Sequence, residues 1–210
     1  MGDRSTYDVV IIGGGPAGST AAALLAGLGH RVALLEKEEY PRGKVCGGCL
    51  SQKSMRFLER VFGLPVAVLR DEGLLDAVGT GYALYIKDKP ILAGDLAEPF
   101  YFTRRELYDA FLARMAADAG ADIREGAEVI AVDHARHTVT TTRGDRFAAR
   151  VLIGADGINS RVRRSLPESV VDRQQWQKNL GWTLELTIPR VDVGALADGD
   201  GAIPIDADLT

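Results

Sequence analysis

The first strong pattern along the chain is an apolar run that gives way to glycines and then to a helix-like segment. Val9–Ile12 is a continuous β-branched stretch, which is typical of a parallel strand buried on both faces. A small-residue, apolar segment ending near Leu28 follows, and Arg31–Leu35 is a second apolar run. This order predicts a strand–turn–helix–strand unit at the start of an α/β domain.

The glycines between the first strand and the helix form a G-x-G-x-x-G motif. Gly13 allows the tight turn, Gly15 lets the backbone approach a pyrophosphate, and Gly18 lets the helix pack closely on the strand. Pro16 and Ala17 open the helix, whose free N–H groups and dipole attract phosphate. We therefore assign all five residues to a dinucleotide site, against the alternative of a glycine-rich turn without a ligand.

An acidic residue closes the second strand at the spacing that this motif requires. Glu36 follows the glycine turn by about 20 residues, where a carboxylate accepts hydrogen bonds from both hydroxyls of an adenosine ribose. An acid at this position favours an unphosphorylated ribose, so NAD or FAD is expected rather than NADP. We assign the adjacent Lys37 to the same cofactor site.

The middle of the chain changes from helix to strands and back. Ser51 is a plausible N-cap for a helix over Gln52–Phe62, and the helical period is lost over 66–102. Alternation over Gly81–Lys87 predicts a strand, with two short strands at Ile91–Ala93 and Pro99–Thr103 as its partners. A block of strands inserted after the first unit predicts a second layer outside the nucleotide domain. A helix is then expected over residues 103–120.

The last third of the chain returns to the parallel sheet. Ala121–Arg124 is predicted as the next parallel strand, and three antiparallel strands are expected at Ala127–Asp133, Thr138–Arg143 and Arg146–Ala149. An apolar strand starting at Val151 then runs into a Gly-Ala-Asp-Gly turn and a short helix. A further strand is expected over Leu180–Ile188, and 191–210 shows little periodicity.

Composition narrows the class of protein without naming it. The 210 residues are 46% hydrophobic and 26% charged, as in an ordinary globular protein, and the net charge of −4 argues against nucleic acid as a partner. Two cysteines and no signal-like N-terminus favour a cytoplasmic setting. No apolar run reaches membrane-spanning length, which leaves peripheral membrane contact open.

The loop after the second strand carries a family signature. Residues 41–51, PRGKVCGGCLS, resemble the P-R-x-K-x-C-G-G-x-L-S signature of the geranylgeranyl reductase family, within the superfamily that shares the fold of p-hydroxybenzoate hydroxylase. The resemblance implies FAD as the dinucleotide, with Arg42 contacting it. It also implies that Cys46, Gly47 and Gly48 line the flavin and substrate site as the catalytic loop.

The same resemblance extends to three later segments. Arg105, with Arg104 as the alternative, matches the family arginine that precedes a helix and turns back to FAD. Val129 lies where the family contacts the adenine through its backbone. Residues 154–163 resemble the G-A-D-G-x-x-S-x-V-R pattern of flavin hydroxylases and reductases, which implies that Asp156 and Gly157 help to hold FAD.

Cys46 and Cys49 also form a C-x-x-C pair, and Cys49 departs from the smaller residue that the family usually has there. A redox dithiol is one interpretation of this spacing. No metal site is expected, because the only histidines, His30, His134 and His137, follow no matching ligand pattern.

Together these patterns predict an α/β fold: a Rossmann-like FAD/NAD(P)-binding domain of the GR2 type, with part of an antiparallel β substrate domain. We expect residues 1–75 and 104–168 to form the first domain, and 76–103 and 169–210 the second. The resemblance implies an FAD-dependent oxidoreductase, with NAD(P)H as a candidate reductant, that passes hydride to an isoprenoid or another hydrophobic alkene. A monooxygenase or halogenase, and a non-catalytic binding module, are the alternatives.

Members of the resembled family continue with more of the substrate sheet and a later Gly-Asp motif that binds FAD, and neither is found in this sequence. We therefore expect a C-terminally truncated member, a shortened reading frame, or a chain that needs a complementing C-terminal chain.

Overall fold

The computed structural model describes residues 6–86, 89–180 and 202–206. Its helices and strands, in chain order, are β1 (Thr6–Ile12), α1 (Pro16–Gly27), β2 (Val32–Leu35), β3 (Cys49–Leu50), α2 (Gln52–Phe62), α3 (Val66–Asp71), β4 (Ala77–Ile86), β5 (Lys89–Phe102), α4 (Arg105–Asp118), β6 (Asp122–Arg124), β7 (Val129–Asp133), β8 (Thr138–Thr141), β9 (Arg146–Gly154), α5 (Arg161–Ser165), α6 (Arg173–Lys178) and β10 (Ala202–Asp206).

The chain divides into two compact units, one formed by 1–43 with 106–182 and the other by 44–105 with 183–210. The expected functional domains differ in assigning 44–75 and 104–105 to the nucleotide-binding part and 169–182 to the substrate part. Compactness does not define a functional domain, so that assignment stays a prediction.

The first unit contains a six-stranded sheet with the order β6-β2-β1-β9-β8-β7. The pairs β6–β2, β2–β1 and β1–β9 are parallel, whereas β9–β8 and β8–β7 are antiparallel. Strand β1 is central, with Val9 in register with both Val32 and Val151. The predicted Rossmann-like α/β fold is therefore confirmed.

Burial follows from the position of β1 inside the sheet. Val10 and Ile12 contribute to one core cluster, and the neighbouring Val9 and Ile11, which point to the opposite face, are also buried. The cluster comprises Tyr7, Val10, Ile12, Ala33, Leu35, Ala127, Val129 and Val139. A strand buried on both faces explains why its sequence is continuously apolar.

Strand β9 corrects the expectation of two separate strands at Arg146–Ala149 and from Val151. It is one strand of nine residues. Its first part pairs with β8 and its second part with β1. Arg150, which interrupts the apolar pattern, has an exposed side chain that lies 3.8 Å from an oxygen of Asp8. A side chain that faces solvent does not end a strand.

The second unit contains a four-stranded sheet with the order β10-β4-β5-β3. The pairs β4–β5 and β5–β3 are antiparallel, whereas β10 joins β4 in parallel. The antiparallel pairing of β4 with β5 was predicted, whereas β3 lies in a segment that was expected to be a loop. Strand β5 is continuous over 14 residues, so the expectation of two short strands at Ile91–Ala93 and Pro99–Thr103 is wrong. The polar residues between them lie on an exposed stretch of the strand and do not break it.

Three helices confirm or add to the sequence interpretation. The Ser51 side chain accepts a hydrogen bond from the Ser54 N–H at the start of α2, as predicted. Helix α3 was not expected, because Leu69 is its one buried residue and six residues leave little period to detect. Helix α6 begins after Asp172. The strand expected over Leu180–Ile188 lies, after Leu180, outside the described residues.

Among the described residues, no helix combines the length and apolar character that crossing a membrane requires.

Candidate dinucleotide-binding site

The turn between β1 and α1 is closed by backbone contacts that exclude side chains. Gly13 has φ +101°, and a Cβ there would lie 2.5 Å from the Ala155 carbonyl oxygen. A Cβ at Gly18 would lie 1.8 Å from the Gly13 carbonyl oxygen. Both distances are far below van der Waals contact, so these positions admit only glycine without a backbone shift. The contact at Ala155 also brings the start of the Asp-Gly turn against the glycine turn.

Gly14 is equally constrained, although the motif leaves its position free. A Cβ there would lie 2.0 Å from the Tyr40 hydroxyl oxygen and 3.0 Å from the Glu36 Cβ. The Gly14 N–H donates to Glu36 Oε2 at 2.8 Å. At Gly15 the nearest group to a built Cβ is Arg42 Nη2, at 3.9 Å. The turn, the acid and the arginine therefore form one site within the first unit.

The N-terminus of α1 is suited to an anion. Gly15 is the N-cap and makes no side-chain hydrogen bond, Pro16 occupies the first turn, and no acidic residue lies in that turn. The Ser19 hydroxyl donates to the Gly14 carbonyl at 3.1 Å, so it does not cap the helix. The positive end of the helix dipole and its early N–H groups, including that of Ala17, thus remain available for phosphate oxygens.

Glu36 is buried, with 5% of its surface exposed. Its Oε2 accepts from the Gly14 N–H, and its Oε1 accepts from the Glu38 N–H at 3.2 Å. Oε2 also accepts from Arg42 Nη2 at 3.2 Å, so both of its lone pairs are used, whereas Oε1 has capacity for a further hydrogen bond. The carboxylate is therefore held in place by its donors while Oε1 keeps an acceptor site for a ribose hydroxyl.

Arg42 bridges two acids. Its Nη2 lies 3.2 Å from Glu36 Oε2, and its Nη1 lies 3.0 Å from Asp109 Oδ2. The Arg42 side chain is 11% exposed and that of Asp109 is fully buried. Among the residues that the structure describes, the buried Nε of Arg42 finds no hydrogen-bond partner. A buried N–H in that state is unfavourable, and an oxygen of a bound nucleotide would satisfy it. The residues present therefore fit a dinucleotide.

Tyr40 is a component of this site that the sequence analysis missed. Its hydroxyl donates to the Gly14 carbonyl at 2.5 Å, and the Arg42 guanidinium lies 5.5 Å from its ring centroid. Burial, followed by the charge of Glu36, raises the pKa of Tyr40 to about 12. The phenol is therefore protonated, and able to donate, throughout the physiological pH range.

Asp156 is engaged in local hydrogen bonds. Its Oδ1 accepts from the Ser160 hydroxyl at 2.5 Å, and its Oδ2 accepts from the N–H groups of Arg161 and Val162 at 2.6 and 3.2 Å. The carboxylate thus holds the start of α5. Gly157, with φ +73°, has the left-handed backbone that the turn needs. A contact of either residue with FAD stays a prediction.

Three further predicted cofactor residues occupy different settings. Lys37 is exposed and pairs with Glu38 at 3.3 Å. Val129 begins β7 and is buried in the core cluster, which leaves its backbone as the group for the predicted adenine contact. Arg105 is the first residue of α4 and the last residue of the 44–105 segment of the second unit. The alternative, Arg104, pairs with Asp76 at 3.2 Å.

The Cys-Gly-Gly loop lies in the second unit, and its two glycines differ. A Cβ at Gly48, which has φ +70°, would lie 1.9 Å from the Thr103 carbonyl oxygen, and the Thr103 N–H donates to the Gly48 carbonyl at 3.0 Å. A Cβ at Gly47 would meet nothing within 4 Å. Gly48 therefore serves backbone packing, whereas Gly47 leaves open space beside the exposed Cys46.

Cys46 and Cys49 are both free and exposed. Burial, and then the neighbouring Cys46, raise the pKa of the Cys49 thiol. In the parts of the chain that the structure describes, no three His, Cys, Asp or Glu side chains form a group that could hold a metal ion.

Comparison with known proteins defines the class. Residues 6–190 match the family described as FAD binding domain, and the chain belongs to this family. The chain is 34% identical over 171 residues to the geranylgeranyl diphosphate reductase of Rhodobacter capsulatus, which covers 79% of this chain and 41% of that protein. It is 31% identical over 175 residues to the digeranylgeranylglycerophospholipid reductase of Methanocella arvoryzae, covering 77% and 42%. The resemblance to geranylgeranyl reductases is therefore confirmed.

Among solved structures, the myxobacterial chondrochloren halogenase, a FAD-dependent enzyme, superposes with a TM-score of 0.62 at 28% identity. The superposition covers 74% of this chain and 38% of the halogenase. The chain spans about two fifths of the length of each of these two reductases. These comparisons place the chain in a family of FAD-binding domains.

Proposed function

We propose that this chain forms the nucleotide-binding part of an FAD-dependent reductase that transfers hydride to a double bond of an isoprenoid or similar hydrophobic substrate. The observation that carries the proposal is the buried Glu36 carboxylate, which is bonded to the glycine turn and to Arg42. The substrate class is supported by the PRGKVCGGCLS loop and by the similarity to the Rhodobacter geranylgeranyl diphosphate reductase.

Each part of the site has a defined task in this proposal. The N–H groups at the start of α1 bind the pyrophosphate, and Glu36 Oε1 accepts from a ribose hydroxyl. A buried negative charge at Glu36 disfavours a phosphorylated ribose. Gly47, which has open space around it, lets the backbone approach a flat ring. When bound, FAD supplies the hydride chemistry, and the protein supplies binding and orientation.

The proposal extends to the reductant and to the substrate side. NAD(P)H is the proposed electron donor. Cys46 is the polar side chain proposed to lie near the substrate, together with Gly47 and Gly48. Peripheral membrane contact and a complementing C-terminal chain stay predictions that follow from the hydrophobic substrate and from the length of the relatives.

A monooxygenase or halogenase is the second candidate, and the halogenase superposition favours it. Oxygen dependence separates the two. In the absence of oxygen, a reductase saturates an isoprenoid double bond when FAD and NAD(P)H are supplied. A monooxygenase or halogenase gives no product under those conditions and forms an oxygenated or halogenated product only with oxygen present.

The binding claim is tested by titrating the purified chain with FAD and with FMN, following flavin fluorescence. We expect saturable binding of FAD and at least ~10-fold weaker binding of FMN, because FMN lacks the adenosine that the site recognises. A folded chain that binds neither flavin, or binds both equally, contradicts the proposal. Tight FAD binding without turnover, either with or without oxygen, supports the non-catalytic alternative.

A further inference from the structure

A line of three buried charged residues crosses the candidate site and ends outside the known nucleotide motif. Asp109, from α4, is fully buried and pairs with Arg42 Nη1 at 3.0 Å. Arg42 pairs through Nη2 with Glu36 at 3.2 Å. Both terminal nitrogens of the guanidinium therefore face carboxylates, and the buried Nε has no hydrogen-bond partner within the described part of the chain.

The planar guanidinium makes this arrangement directional. An arginine that binds carboxylates through both terminal nitrogens has its plane fixed, whereas a pair through one nitrogen leaves rotation about the side chain. Asp109 and Glu36 hold Arg42 from two elements that are distant in sequence, α4 and the end of β2. The position of the Nε–H group is thereby fixed as well.

We propose that Asp109 is a positioning residue for the nucleotide: acting through Arg42, it holds the Glu36 carboxylate and presents the Arg42 Nε–H to an oxygen of the ligand. This inference rests on the proposed binding of FAD. Asp109 is not proposed to touch the ligand.

The charge of the three residues sharpens the assignment of Arg42. Two carboxylates and one guanidinium leave one net negative charge, so Arg42 does not neutralise a pyrophosphate. Phosphate binding therefore belongs to the N-terminus of α1, and the Glu36–Arg42–Asp109 line belongs to the hydroxyl-bearing part of the nucleotide. Tyr40, which lies over Arg42 and is neutral, leaves this balance unchanged.

The central test is the FAD dissociation constant of Asp109→Asn, which keeps the size of the side chain and removes its charge. We expect the dissociation constants of FAD and of ADP both to rise by ~10-fold. Losing one charge-assisted hydrogen bond disturbs the ribose site that the two ligands share. Asp122→Asn is the matched control, since Asp122 also pairs with an arginine, Arg124, in the same unit. Its FAD affinity should stay within about twofold of the wild type.

A double-mutant cycle separates positioning from a general structural effect. In an Arg42→Lys background, which keeps the positive charge and removes the guanidinium, Asp109→Asn should change FAD affinity by less than about twofold, because its effect passes through that guanidinium. Equal, independent losses in both backgrounds overturn the proposal. Wild-type FAD affinity in Asp109→Asn also overturns it. If the wild-type chain binds no FAD, the proposed function fails first.

If Asp109→Asn does not fold, the double variant Arg42→Met/Asp109→Leu replaces it in the test. Replacing both members of a buried ion pair with apolar residues is often tolerated by the fold. A folded double variant with at least ~10-fold weaker FAD binding supports the proposal. One that binds FAD like the wild type contradicts it.

Discussion

The two glycine-rich loops of this protein differ in how their neighbours constrain them. In the turn after β1, Gly13, Gly14 and Gly18 all lie where an added Cβ would come within 2.5 Å of another atom. In the Cys-Gly-Gly loop only Gly48 does so, whereas Gly47 has open space and Cys46 is exposed. The first loop is fixed by its own packing, and the second is fixed at one residue.

This difference separates two uses of glycine. A turn that presents N–H groups to a pyrophosphate must be rigid before the ligand arrives, and buried partners such as Glu36 and Tyr40 provide that rigidity. A loop proposed to lie beside a flat ring needs room for the ring. Substitutions in the two loops should therefore fail in different ways: those in the first abolish folding or binding, and those at Gly47 affect the ligand alone.

The largest effect is expected for Gly18→Ala. The new Cβ would lie 1.8 Å from the Gly13 carbonyl oxygen. The closest contacted atoms belong to the backbone of Gly13, so no flexible side chain can move away to make room. We expect a loss of about 3 kcal/mol in the free energy of unfolding, measured by urea denaturation. Gly27→Ala is the control in the same helix, because a Cβ there meets nothing within 4 Å. It should change stability by less than about 1 kcal/mol, in the stabilising direction. Equal effects of the two substitutions would contradict the packing account.

Gly48→Ala and Gly47→Ala test the second loop in the same way. Gly48 combines a left-handed backbone with a 1.9 Å contact to Thr103, so its substitution should cost about 2 kcal/mol in thermal or urea unfolding. Gly47→Ala should change the free energy of unfolding by less than about 0.5 kcal/mol. If Gly47→Ala destabilises the protein as much as Gly48→Ala, the space beside Gly47 is not available to a ligand.

Tyr40→Phe removes the hydrogen bond to the Gly14 carbonyl and should cost about 1 kcal/mol of stability at pH 7. Burial and Glu36 raise the pKa of Tyr40 from its ordinary 10.0 to about 12. Because the folded state holds the proton more tightly, this contribution is present below pH 10 and is lost as the pH rises towards 12. Unfolding measured across pH 8–12 should show that loss in the wild type and not in Tyr40→Phe. Identical pH profiles would remove Tyr40 from the site.

The smallest effect concerns the cysteines. The Cys46→Ser variant retains Cys49. Because burial raises the pKa of that thiol, the variant should react with iodoacetamide more slowly at pH 8 than a free thiol does. The reaction should accelerate as the pH increases. A rate equal to or faster than that of a free thiol contradicts the assignment and would favour a reactive dithiol.

The sequence allowed the first loop to be predicted better than the rest of the site. Gly13, Gly18 and Glu36 were identified because one short motif specifies their spacing, and a strand buried on both faces is visible as an uninterrupted apolar run. The expectation that Arg42 reaches the cofactor was based on family resemblance, and its two acidic partners were not foreseen.

What escaped prediction depends on contacts between distant residues. Asp109 lies 67 positions after Arg42, and only the packing of α4 brings their side chains to 3.0 Å. The available signal was an acid among the otherwise apolar buried residues of that helix. Strands β5 and β9 were divided because an exposed polar residue within a strand resembles a break when burial is unknown.

Glu36 is proposed to form the ribose-binding part of a preformed FAD site. The decisive measurement compares the FAD dissociation constants of the wild type, Glu36→Ala and Glu38→Ala. Glu38 is also an acid two residues away, but its side chain is exposed and pairs with Lys37. We predict that Glu36→Ala weakens FAD binding by about 1–3 kcal/mol, while Glu38→Ala leaves it unchanged. A Glu36→Ala protein that folds and binds FAD with wild-type affinity would contradict the account.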